Sequence, residues 1–131
     1  MTKAILVDDE RLMRDQLRRR LVEVRPDLSI CGEAGNAKDA LALVNREAPD
    51  LAFLDIRMPG GSGLDLAKQI GKRSHVVFVT AYDQYAIEAF ERGALDYLLK
   101  PVEKQRLTLI IERLRERLLK PPPDLGVLSA K

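Results

Sequence analysis

The sequence predicts an α/β fold built on a parallel sheet. Short apolar runs rich in β-branched residues alternate with longer stretches of helical period, the pattern of repeated βαβ units, and five such rounds fit in the 131 residues. Runs such as Ala4–Val7, Leu51–Leu54 and Val76–Val79 carry no polar residue, as strands covered on both faces of a parallel sheet require. The length suits one compact domain, which buries roughly two thirds of the surface its unfolded chain exposes and needs no disulfide or structural metal.

Ala4-Ile5-Leu6-Val7 is the first strand. After it, Met13, Leu17, Leu21 and Val24 recur at helical spacing, with arginines on the other side and Pro26-Asp27 as the stop. Leu28–Ala34 reads as a second strand, less apolar and therefore at the sheet edge. Asn36 is placed to cap a helix running through Glu47, which Pro49-Asp50 breaks. The third strand, Leu51–Leu54, ends at Asp55 before the turn-rich loop Arg57–Gly63, and a short helix follows from Leu64 to about Ile70. Val76–Val79 is the fourth strand, Tyr82–Arg92 a fourth helix closed by Gly93, and Tyr97–Leu99 a short fifth strand. The last helix starts near Val102 and presents Leu107, Ile111, Leu114 and Leu118 on one side, until Pro121-Pro122-Pro123 stops it. Residues 1–120 thus read as the domain and 121–131 as a proline-led linker.

Composition excludes several classes. The balance of 22 Lys and Arg against 20 Asp and Glu, net +2, is too mild for a nucleic-acid-binding surface on this segment. The start lacks the basic and long apolar regions of a signal peptide, and no stretch approaches the roughly 20 apolar residues of a membrane span, so a cytoplasmic location without membrane contact is expected. The single Cys31 rules out a disulfide framework and reads as a small hydrophobe. Gly60, Gly61 and Gly63 are not a phosphate-cradling P-loop, because no Gly-Lys-Ser or Gly-Lys-Thr follows, and His75 falls at the wrong end of its strand to be a ligand.

In open α/β sheets ligands bind beyond the carboxyl ends of the strands. There the sequence puts Asp8 and Asp9 after the first strand, Asp55 after the third, Thr80 after the fourth and Lys100 after the fifth. Carboxylates converging on one pocket repel one another unless a cation neutralises them. Oxygen donors without His or Cys favour Mg²⁺ over Zn²⁺. An Asp beside such an ion, with a Lys ammonium and a Thr hydroxyl opposite, is arranged to accept a phosphoryl group. Each residue taken alone has a plainer reading. Asp8 or Asp9 suits a helix N-cap, Asp55 turn chemistry before Pro59-Gly60-Gly61, and Lys100-Pro101 a strand-to-helix junction. Five such coincidences at strand ends are improbable together.

The stretches Val7-Asp8-Asp9-Glu10, Leu54-Asp55-Ile56-Arg57-Met58-Pro59-Gly60, Val79-Thr80-Ala81 and Tyr97-Leu98-Leu99-Lys100-Pro101, in this order and spacing, resemble the receiver domain of two-component response regulators. The resemblance covers residues 3 to about 120. It implies a flavodoxin-like, doubly wound (βα)5 fold with a five-stranded parallel sheet in strand order 2-1-3-4-5. It further implies that Asp55 is the phosphoacceptor, that Asp8, Asp9, Asp55 and the Arg57 main-chain carbonyl hold Mg²⁺, and that Lys100 and Thr80 contact the phosphoryl group. Tyr97 matches the switch aromatic, whose plainer reading is a half-buried strand residue. The donor would be a sensor histidine kinase.

Thr80–Phe90 and Gly93–Val102 look like receivers that precede a LytTR-type DNA-binding domain, which implies transcriptional output through an effector beyond Lys131 and DNA contact only through it. In the family that the chain resembles, the face of the fourth helix, fifth strand and fifth helix commonly serves dimerisation, which implies a homodimer; mixed charges such as Glu88, Glu91, Arg92, Asp96, Glu112, Arg113, Arg115 and Arg117 could pair across a two-fold axis but more often mark a solvated surface. Arg14, Arg18, Arg19 and Arg20 on the first helix suit either an acidic patch on the kinase or water, and most are expected to face water. The competing readings are a stand-alone receiver working by protein contacts and a Mg²⁺-dependent phosphatase or phosphotransferase. The latter lacks any insertion large enough to enclose a substrate. The chain is thus expected to be a signalling domain that assists its own phosphorylation and dephosphorylation rather than an enzyme.

Overall fold

The computed structural model describes residues 2–58, 61–81 and 96–122. In chain order they form β1 (Lys3–Val7), α1 (Arg11–Val24), β2 (Ser29–Ala34), α2 (Ala37–Glu47), β3 (Leu51–Asp55), β4 (Arg57–Met58), β5 (Gly61–Ser62), α3 (Gly63–Ile70), β6 (His75–Thr80), β7 (Asp96–Leu99) and α4 (Lys104–Arg117). Five strands make one parallel sheet in the order β2-β1-β3-β6-β7, which is the expected 2-1-3-4-5 once the two-residue strands β4 and β5 are set aside. The expected helix over 82–92, its closing Gly93, and the core and charged positions assigned to it lie outside the described residues, as does the linker beyond residue 122.

Strand alternation sorts the core into two layers. Ile5, Val7, Ala52, Leu54, Val76 and Phe78 face one side and pack with Ala40, Leu43 and Val44 of α2 and Leu64, Ala67 and Ile70 of α3. Ala4, Leu6, Leu51, Phe53, Val77, Val79 and Leu98 face the other, against Leu17 and Leu21 of α1 and Leu107, Ile110, Ile111 and Leu114 of α4. The central strands β1, β3 and β6 are buried on both faces, whereas β2 is half-buried along most of its length, as its weaker apolarity predicts for an edge. Cys31, on β2, is half-buried and packs against the first layer.

Local chemistry sets the helix ends. The Asn36 side chain accepts a hydrogen bond from the Asp39 amide at 2.8 Å, so the predicted cap of α2 is present. Ser62 caps α3 in the same way through the Asp65 amide. Helix α1 begins after Glu10, which makes no side-chain cap bond, so neither Asp8 nor Asp9 is an N-cap. Helix α4 begins two residues later than its apolar pattern suggests. Val102 is buried in the core while Glu103 is still extended. The loop after Asp55 holds the antiparallel β4–β5 pair, and Gly63 lets it fold back on the end of β3. A Cβ at Gly63 would stand 2.0 Å from the Asp55 carbonyl oxygen.

Polar contacts fasten the C-terminal half of α4 and the residues just after it to the sheet. Asp96 is buried and accepts from Arg113 at 2.9 Å and from Arg117, so these two arginines, expected on a mixed-charge face, are committed within the chain. His75, buried at the start of β6, bonds through Nε2 with the Lys120 carbonyl at 3.1 Å.

Candidate functional site

The sheet register gathers the site. Val7 pairs with Leu54, so Asp8 and Asp55 leave their neighbouring strands at the same height. Asp55 pairs with Val79 and Thr80 with Leu99, which puts Thr80 and Lys100 each one step further on across the next strands. Alternation then separates sides. Asp55 shares the parity of Phe53, facing α1 and α4, while Thr80 and Tyr97 share the parity of Phe78 on the opposite side.

Lys100 joins the acids. Its Nζ lies 2.7 Å from Asp8 Oδ2 and 3.1 Å from Asp55 Oδ2, with Glu10 Oε1 at 3.9 Å. Asp8 and Asp55 are 6% and 5% exposed, so this is a largely desolvated triad. The spare oxygens are also used. Asp8 Oδ1 accepts from the Glu10 amide at 2.9 Å and Asp55 Oδ1 from the Arg57 amide at 3.3 Å. The turn chemistry available to Asp55 is therefore present alongside the ion pair.

Burial pushes the Asp55 carboxyl upward, and the negative charge of Asp8 adds to that. The Lys100 ammonium pulls it down without cancelling the rise. Burial also works against the charged form of Lys100, but its hydrogen bond to Asp8 and the fields of both carboxylates outweigh it and hold its pKa above the usual lysine value. The ammonium is the fixed charge of the pocket, and Asp55 is the carboxylate whose ionisation depends on it.

Asp9 is exposed next to this triad. One carboxylate oxygen from each of Asp8, Asp9 and Glu10 lies within 4.8 Å of the others. This all-oxygen set, open to water through Asp9 and Glu10, has the donor chemistry of a hard divalent cation. Glu10 is a member that the strand-end reading did not single out, although it follows Asp9 directly. Thr80 is fully buried at the end of β6. Tyr97 is half-buried against the core layer of α2 and α3, with the Arg106 guanidinium 5.7 Å from its ring centroid.

The sequence reading also missed the role of Arg14. It bridges Glu33 and the Asp8 carbonyl rather than facing water, and Arg18 pairs with Glu33 as well. Its position three residues before Leu17 and seven before Leu21, the buried residues of α1, was the available signal.

The family model of the response regulator receiver domain matches residues 4–112. The chain belongs to the response regulator receiver family. Relatives of this receiver include the transcriptional regulatory protein BtsR of Escherichia coli, 46% identical over 118 residues that cover 88% of this chain and 49% of that protein. A response regulatory protein of Yersinia pestis is 48% identical over 121 residues, covering 91% of this chain and 50% of that one. The chain spans about half the length of the curated relatives it matches. Among solved structures, the response regulatory domain of mrkE from Klebsiella pneumoniae superposes with a TM-score of 0.80 at 31% identity, covering 90% of this chain and 98% of that one. The receiver domain of AraT from Geobacillus stearothermophilus gives 0.80 at 32%, covering 90% and 95%. No helix among the described residues of the receiver is long and apolar enough to cross a membrane.

Proposed function

We propose that this receiver takes a phosphoryl group from the phosphohistidine of a sensor kinase onto Asp55. The observation that carries the reading is the ammonium of Lys100 held between two buried carboxylates, Asp8 and Asp55, at the carboxyl end of a parallel sheet. An Asp55 carboxylate oxygen attacks phosphorus, and the phosphorus–nitrogen bond breaks. The imidazole leaves with that electron pair, and Asp55 becomes an aspartyl phosphate. Lys100, already placed against Asp55, moves its charge to the phosphoryl oxygens, and the Thr80 hydroxyl donates to one of them. Asp8, Asp9, Asp55 and the Arg57 main-chain carbonyl would hold Mg²⁺, in keeping with the oxygen-only donor set around Asp8 and Asp9. The ion supplies neutralisation of the phosphoryl charge.

Phosphorylation adds nearly two negative charges to a pocket whose Lys100 ammonium is already shared between Asp8 and Asp55. Thr80 turning toward them frees space on its own side of the sheet. Tyr97, two residues back on the neighbouring strand and of the same parity, is the ring that fills it, so the charge event repacks the surface around β7. Output then passes through a homodimer on the face that carries β7 and α4. The names and double length of the relatives support transcription regulation; the resemblance carried by Thr80–Phe90 and Gly93–Val102 supports a LytTR-type DNA-binding domain as the effector, reached from the receiver at residues 1–120 by the proline-led segment 121–131.

Incubation with Mg²⁺ and a small phosphodonor adds one acid-labile phosphate to the protein, and Asp55→Asn abolishes it. Persistence of that phosphate in Asp55→Asn removes the acceptor assignment. Multiple turnover of a phosphate ester would instead make the protein a phosphatase.

A further inference from the structure

Arg14 takes no part in the phosphoryl chemistry, yet it reaches the loop that carries the acids. It sits on the buried side of α1, its side chain only 17% exposed. Its guanidinium is used at both ends: Nε donates to Glu33 Oε1 on the edge strand β2 at 2.9 Å, and Nη1 donates to the main-chain carbonyl of Asp8 at 2.5 Å. Glu33 is itself anchored, since Arg18 donates to its other oxygen from Nε at 2.9 Å and from Nη2 at 2.6 Å. Burial works to raise the Glu33 carboxyl, but the hydrogen bonds from Arg18 and Arg14 outweigh it and keep the group ionised below the usual carboxylate range. The edge strand therefore offers Arg14 a fixed anion to brace against.

The Asp8 carbonyl and the Asp9 amide belong to one planar peptide unit. Holding that carbonyl fixes the peptide plane and with it the Asp9 N–Cα bond, the axis about which φ places the Asp9 Cβ, and no side-chain partner among the described residues orients the exposed Asp9. Asp8 has Lys100 and the Glu10 amide to orient it; Asp9 has its backbone. We propose that Arg14 is a positioning residue for the cation site. It is a strut between Glu33 and the Asp8 carbonyl that sets the Asp8–Asp9 peptide so that both carboxylates address one ion. This rests on the Mg²⁺ reading above.

The sign of the effect separates a strut from a charge. The positive charge of Arg14 repels a cation, so if charge alone mattered its removal would tighten Mg²⁺ binding. A strut predicts the reverse. Loss of a group that orients a metal ligand costs on the order of 10-fold to 100-fold in affinity, and the lower end applies to Asp9, one ligand of the set. Arg14→Met is expected to weaken Mg²⁺ binding about 10-fold. Arg14→Lys, which keeps the charge but cannot span both ends, stays weak. Glu33→Gln weakens binding in the same direction by a smaller factor; loss of its negative charge alone would also weaken binding, so Arg14→Met carries the discrimination.

The test is a calorimetric titration of the whole chain with Mg²⁺, each variant held below the onset of its own thermal unfolding. A role confined to stability lowers the melting temperature and leaves the affinity of the folded protein unchanged. The HN–Hα scalar coupling of Asp9, which reports its φ angle in metal-free protein, is measured alongside. Weaker binding together with a changed coupling supports the strut. Unchanged or tighter binding in folded Arg14→Met and Glu33→Gln, or an unchanged Asp9 coupling, overturns it. Asp9→Asn is the control for the underlying reading: wild-type Mg²⁺ affinity there refutes the cation assignment itself, while the coupling still decides whether Arg14 braces the loop.

Discussion

Replacing Lys100 by Met removes the ammonium that pairs with both Asp8 and Asp55 while leaving the stem volume nearly unchanged. At 2.7 and 3.1 Å, and with an effective dielectric constant of about 20, the two pairings represent gross attractions of roughly 6 and 5 kcal/mol. Most of that offsets the desolvation of the three groups, and breaking a buried pair typically costs about 3–5 kcal/mol net. A second limit comes from the proton. The variant can relieve itself by protonating one acid, which for a carboxyl of ordinary pKa near 4 costs about 4 kcal/mol at pH 7 and about 1.5 kcal/mol at pH 5. The expected destabilisation is therefore about 3–4 kcal/mol at pH 7, falling to about half or less at pH 5. Without Lys100, burial and the Asp8 charge remain, and both raise the Asp55 carboxyl. A raised acid contributes stability below its unfolded pKa that is lost as pH rises through the folded one, so the variant's deficit grows with pH. Urea unfolding of both proteins in metal-free buffer at pH 5 and pH 7 reads this directly. A Lys100→Met protein as stable as wild type at pH 7, or a deficit that does not change with pH, would show that the ammonium does not offset the burial of Asp55.

Glu33 gives the opposite pH signature. Its lowered carboxyl contributes stability above the unfolded carboxyl pKa that is lost as pH falls through the folded one. Glu33→Gln is accordingly expected to cost about 1.5 kcal/mol at pH 7 and to lose that cost only once the pH has fallen below the lowered folded range, measured by the same unfolding curves; a deficit that persists at the acid extreme would remove the ion pairs as its cause. Gly63→Ala forces a methyl against the Asp55 main chain, a contact that no side-chain rotation relieves. Destabilisation of about 2–3 kcal/mol is expected in thermal melts, and a neutral result would mean that the loop after β3 is free to move away.

Much of the fold was legible because a parallel sheet buried on both faces leaves long apolar runs that only a strand explains. β1, β3 and β6 were read within a residue or two for this reason. The start of α4 was misplaced by two residues because a hydrophobic pattern reports burial, and Val102 is buried before the helix begins. The antiparallel pair β4–β5 had no signal of its own in a loop of turn residues. For the candidate site, a positional rule, polar residues just beyond strand ends, picked out Asp8, Asp9, Asp55, Thr80 and Lys100 without any knowledge of distances, and of these the structure brings Asp8 and Asp55 into contact with Lys100.

The sequence by itself determined which residues carry charge at the carboxyl edge of the sheet, since strand boundaries and residue types are local properties. It could not determine how those charges share their partners. Arg14 and Arg18 looked like two of several surface arginines, and Arg113 and Arg117 like part of a mixed-charge face. Only the packing of α1 over the β2 edge brings Glu33 to the first pair, and only the packing of α4 against β7 brings Asp96 to the second. The same holds at the centre. Lys100 lies 45 residues from Asp55 in the chain, and it is the parallel register, with strands paired across crossovers, that closes that separation to a hydrogen bond. Ion pairs are decided by the three-dimensional neighbourhood of each charge, because the attraction depends on separation in space and on burial, and neither is written in the order of the residues.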